Sequence, residues 1–106
     1  MSVNRFRGEV PLMLDEVPHI MRLNLAALAG LEADLGADSL VALVERFEGG
    51  RFRAADVIAL LLAGLEGGGN PVTREALMAA SIEGGPLGAA RAAAELLRVT
   101  FAIEAA

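Results

Sequence analysis

His19 is the only histidine in the chain, and it is the natural place to look for acid–base chemistry. A general base needs a nucleophile within reach and a third group to orient it. Ser2, Ser39 and Ser81 lie in no nucleophile motif, and Ser39 reads better as a helix cap. His19 follows Pro18 on an apolar segment, so it is expected at the surface or rim of a strand. A lone histidine in a chain without cysteine is not a zinc site. Glu9, Asp15 and Glu16 lack the alternating oxygen ligands and central glycine of a calcium loop, and read as solvated turn charges. Gly67-Gly68-Gly69 invites a phosphate-loop reading, but a P-loop needs a lysine and the chain has none. A dinucleotide fingerprint would follow a strand, whereas a helix is expected before these glycines, which leaves them as a flexible loop. No catalytic, cofactor or metal residues are expected, and the protein should not be an enzyme.

Two features remain that could serve binding. Glu32 comes seven residues after Leu25 and projects near the edge of a leucine stripe. A charge there must be paired, for instance with Arg22, or reach water at the rim, or anchor a protein partner. The last helix places Arg91, Glu95 and Arg98 on one narrow stripe at favourable three- and four-residue spacings. Leu97 with Phe101 can enter the domain core, which leaves a second apolar face of Leu96, Val99 and Ile103. The hairpin could cover that face within the monomer, or a neighbour could, whether a second copy or another protein. Leu96, Val99, Ile103 and Glu32 are therefore the candidate partner-binding residues, and a homo-oligomer is one expectation.

The elements that must hold these residues can be read in order. Residues 6–23 predict a β-hairpin, with strands at 9–14 and 19–23 and a turn through Asp15-Glu16-Val17-Pro18. Pro11 lacks an N–H, so the first strand should carry a free edge, and so small a hairpin must lie on the helices or pair elsewhere. Asn24 caps a helix over 25–35 that ends at Gly36; Asp38 or Ser39 caps another over 39–48, closed by Gly49-Gly50. The third helix, 53–65, spreads Val57, Ile58, Leu60, Leu61, Leu62 and Leu65 over half its circumference, as a central helix does. Thr73 caps a fourth over 74–82, and Pro86 opens a fifth over 86–101. The fold class is α+β, predominantly helical: an N-terminal β-hairpin followed by four or five short helices in a compact bundle, with residues 1–106 as a single domain.

Composition bounds the rest. Apolar residues make up 55% of the 106, ample for a core and far from the composition of disordered chains. A net charge of −5 without lysine, Trp or Tyr argues against nucleic acid, whose phosphates demand cations and whose bases demand stacking partners. The most apolar run, 54–65, is too short for a membrane span and is broken by Asp56. The absence of cysteine suits a reducing, cytoplasmic compartment.

Four segments in order carry a resemblance: Asn4-Arg5-Phe6-Arg7-Gly8-Glu9-Val10, Leu25-Ala26-Ala27-Leu28-Ala29-Gly30-Leu31-Glu32, Asp56-Val57-Ile58-Ala59-Leu60-Leu61 and Gly64-Leu65-Glu66-Gly67-Gly68-Gly69. Over about residues 3–85 the chain resembles the gene transfer agent family of small phage-tail proteins, prophage-derived relatives of tail assembly chaperones. The resemblance implies a non-enzymatic protein-binding factor that assists assembly of a phage-like tail and contacts its tape-measure and tail-tube proteins. A structural subunit of the tail or neck is the alternative, and a small enzyme a distant third. Asp15-Glu16 departs from the tighter Asp-Gly turn expected of the family, which predicts a longer turn and a less determined register.

Overall fold

The computed structural model describes residues 3–35 and 40–101. A single 3-10 turn, Arg5–Arg7, leads into strands β1 (Glu9–Leu14) and β2 (Val17–Arg22). Five helices follow: α1 (Leu25–Leu35), α2 (Leu40–Glu48), α3 (Ala54–Gly67), α4 (Arg74–Ala79) and α5 (Gly85–Phe101). A hairpin followed by a helical bundle is the architecture read from the sequence.

The hairpin turn is shorter than expected. Leu14 pairs with Val17, so only Asp15 and Glu16 lie between the strands. Both have positive φ, 51° and 67°, as the two-residue type I′ turn requires. The left-handed strain that an Asp-Gly pair would avoid is offset at Asp15, whose N–H donates to the Ser81 carbonyl at 2.8 Å. Its carboxylate accepts from the Ser81 N–H at 2.9 Å. The register then places Pro11 opposite Ile20 and Pro18 opposite Met13, both at non-hydrogen-bonded positions where a missing N–H costs the ladder nothing.

Among the described residues the outer edge of β1 is engaged only towards its two ends, and the stretch around Pro11 keeps the free edge expected of it. The Asn4 carbonyl takes the Glu9 N–H, and the Met13 carbonyl accepts from Glu83. Leu14 bridges Ile82, so residues 81–83 leave the helical path predicted for 74–82 and run beside β1. On β2, the Ile20 carbonyl accepts from Asn70 Nδ2 at 3.1 Å. Gly67 and Gly68 press against the Arg22 and Ile20 carbonyls so closely that any Cβ would collide with them. The triple glycine is thus a packing seam at the end of α3, with only Gly69 beyond it in a left-handed turn.

One core holds the layers together. Val10, Leu12, Leu14 and Met21 alternate onto the inner face of the hairpin and meet α3 and α5. α3 is central as its wide apolar arc predicted, touching β2, α1, α4 and α5 and burying Leu60, Leu61 and Leu65 almost completely. α5 turns Ala89, Ala93, Leu96 and Leu97 inward, an i, i+4, i+7, i+8 stripe. Its close approach depends on Gly64: a Cβ there would stand 2.5 Å from Leu96 Cδ2. Of the expected caps, Asn24 accepts from the Ala27 N–H at 2.9 Å and Thr73 from Ala76 at 3.0 Å. Gly36, Asp38 and Ser39 lie outside the described residues.

Candidate functional site

Among the described residues the one buried charge is structural. Asp56, in the first turn of α3, is 1% exposed. Arg46 of α2 grips it bidentately, Nε to Oδ2 and Nη2 to Oδ1, both at 3.0 Å. The Arg53 backbone N–H donates to Oδ2 at 2.8 Å and its Nη2 to Oδ1 at 3.0 Å. Burial alone would raise the carboxyl pKa, but the Arg53 and Arg46 hydrogen bonds outweigh it and lower the value to about 2. This clamp fixes where α2 leaves the bundle. Sequence reading saw Asp56 only as an interruption, because its partner lies ten residues upstream on another helix.

α2 itself buries a single residue, Leu43. Between its outer face and the C-terminal half of α5 runs an apolar groove in two connected parts of about 380 and 320 Å³. Val44, Phe47, Leu97 and Phe101 floor it, and Leu40 and Val41 extend it. Phe47 is braced by Phe52, their rings stacked at 4.6 Å and 9°. Glu45 and Glu48 stand exposed on the α2 rim, while Arg98 opposite is engaged by Glu95 at 2.9 and 2.6 Å. A second apolar groove of about 430 Å³ lies between α3, α4 and the start of α5, and among the described residues no ionisable side chain lines it.

A different kind of feature occupies the N-terminus. The Arg5–Arg7 turn is pinned by Asn4, whose carbonyl accepts from Arg7 and Glu9 at 3.0 and 3.1 Å. The Asn4 side chain accepts from the Phe6 N–H at 3.0 Å, and its own N–H donates to the Glu9 carboxylate at 2.9 Å. The ring held out by this network, Phe6, is fully exposed.

The residues singled out from sequence fall elsewhere than expected. Leu96 is completely buried against Gly64, and Val99 is half-buried against the core, so neither forms a surplus face. The expectation that Leu96 and Val99 stay outside the monomer core is corrected: the surplus on α5 is on the side of Phe101, which remains 38% exposed beside buried Leu97. Ile103 lies outside the described residues. Glu32 is exposed on α1, and no salt bridge joins it to Arg22 among the described residues. His19 lines a small hollow with Val17, Val72 and Ala76, and its Nδ1 is 2.9 Å from the Val17 carbonyl. Among the described residues no hydroxyl or thiol lines that hollow. Among the described residues no group of three His, Cys, Asp or Glu is placed to hold a metal ion.

Phe6, the groove and its acidic rim were missed because the second helix gives no sign of how little of its apolar face is covered. The one usable signal was composition: of only four phenylalanines, three are Phe47, Phe52 and Phe101, and the fourth is Phe6.

No similar protein is found among curated sequences, and no solved structure matches. The model of the family described as phage tail tube protein, GTA-gp10, matches residues 7–103, nearly the whole chain and both halves of the groove. The chain therefore belongs to the phage tail tube protein GTA-gp10 family, and is a phage-like tail component.

Proposed function

We propose that the protein is a non-enzymatic structural subunit of a phage-like tail, held in the assembly by contacts through its helical faces. The family match across residues 7–103 is the observation that carries this reading. The surface chemistry agrees with it. An apolar groove rimmed by charge suits protein contact, because the apolar floor supplies affinity and the rim supplies orientation.

A second reading is an assembly factor that covers tape-measure or tail-tube surfaces and then leaves. The favouring observation is that the sheet has only two strands among the described residues, which offers little β-structure from which to build a tube wall. The two readings differ in where the protein ends up. Quantitative mass spectrometry of purified particles should find it at a fixed, ring-like copy number relative to the other tail proteins. Absence from particles that nonetheless fail to form without it would replace the structural reading with the assembly-factor one.

A further inference from the structure

We propose that copies of this chain associate head to tail, with the Phe6 turn of one copy seated in the α2–α5 groove of the next. The proposal deepens the structural-subunit reading, but it is tested on the purified chain alone and so can fail independently of the particle census.

Phe6 is the strongest starting point. An unpinned segment would let an aromatic ring fold back onto the surface, yet here four hydrogen bonds through Asn4 and Glu9 fix the turn and hold the ring in water. A pre-ordered, fully exposed phenylalanine is the form that interface anchors take, since little ordering entropy remains to be lost on docking. In sequence it is flanked by two arginines, Arg5 and Arg7.

The groove is its complement in shape and in charge. Its floor of Val44, Phe47, Leu97 and Phe101 offers apolar and aromatic contact to a ring. Glu45 and Glu48 on the rim have no ion-pair partner among the described residues; of the cations nearby, Arg98 is paired with Glu95 and Arg46 with Asp56. An unbalanced acidic rim over an apolar floor calls for an apolar anchor flanked by cations, and Arg5-Phe6-Arg7 is such a segment. A molecule of net charge −5 gains little from generic association with copies of itself, so this local match must orient it. Because Phe6 is exposed, it does not occupy its own groove, and each docked copy keeps one free turn and one free groove. Such a heterologous contact propagates into rings if its rotation closes and into filaments if it does not.

Sedimentation velocity over a concentration series tests this. The wild-type chain should grow beyond a dimer as concentration rises, less so at high salt. Phe6→Ala removes no buried contact, and Glu45→Arg/Glu48→Arg changes two exposed side chains, so both should fold. Each should need at least tenfold higher concentration to associate. An equimolar mixture of the two retains one intact turn and one intact groove, and should form a 1:1 complex that grows no further. A wild-type chain that remains monomeric, a Phe6→Ala variant that associates like wild type, or a mixture that forms no complex would each overturn the proposal.

Discussion

α3 and α2 both carry apolar side chains, α3 over most of its surface and α2 on one face, and the molecule uses them in opposite ways. α3 is enclosed by β2, α1, α4 and α5 and buries Asp56 and seven apolar or glycine positions. α2 buries only Leu43 and leaves Val41, Val44 and Phe47 along an open groove. The Arg46–Asp56 clamp joins the two. It ties α2 to α3 while most of the apolar face of α2 stays uncovered. The difference separates two jobs: α3 and what packs on it make the fold, and α2 with the end of α5 makes a surface for neighbours.

The sharpest test of that division compares Leu96→Asp with Val41→Asp. Leu96 is completely buried against Gly64, so the first change loses a core side chain and buries an unpartnered carboxylate. It should destabilise the protein by more than about 4 kcal/mol, read by chemical denaturation. Val41 is 66% exposed, and its change should cost no more than about 0.5 kcal/mol while disturbing assembly. Equal losses of stability would erase the distinction between the two helices.

The clamp comes next in size. The Asp56 pKa is lowered to about 2 from 3.8, so its ionised form stabilises the native state. That contribution, roughly 2.5 kcal/mol at 1.4 kcal/mol per unit, is fully present above about pH 4 and is lost as pH falls toward 2. Asp56→Asn should lower stability at neutral pH by about 2 kcal/mol and flatten the acid limb of the stability–pH curve. An unchanged acid limb would mean that other carboxylates govern acid unfolding.

Much of this architecture was legible from local rules. Asn24 and Thr73 cap helices because a side-chain oxygen reaches an orphan N–H within three residues, and such information is contiguous in sequence. The central place of α3 followed from the width of its apolar arc. The inward face of α5 was not legible, since alanines and leucines surround the helix and the choice is made by Gly64, a residue on another helix. The groove was hidden for a related reason: periodicity says which face of α2 is apolar, not whether anything covers it. The hairpin turn was misjudged because the cost of positive φ at Asp15 is offset by Ser81, 66 residues away in sequence.

That turn supplies the smallest predicted effect. Glu16 holds a left-handed φ of 67° without glycine's freedom, so Glu16→Gly should stabilise the hairpin by about 1 kcal/mol in thermal unfolding and leave assembly unchanged. Destabilisation would show that the Glu16 side chain has a role beyond the turn.

The contact surface itself is best tested inside the assembly, with a photo-crosslinkable residue at position 41 compared with one at position 91. Val41 lies on the groove and Arg91 on the exposed polar stripe of α5. In cells producing particles, the account predicts an adduct from position 41 to a tail protein or to a second copy of this chain, and little from position 91. Strong adducts from position 91 with none from position 41 would contradict it, and would move the contact surface away from the α2–α5 groove.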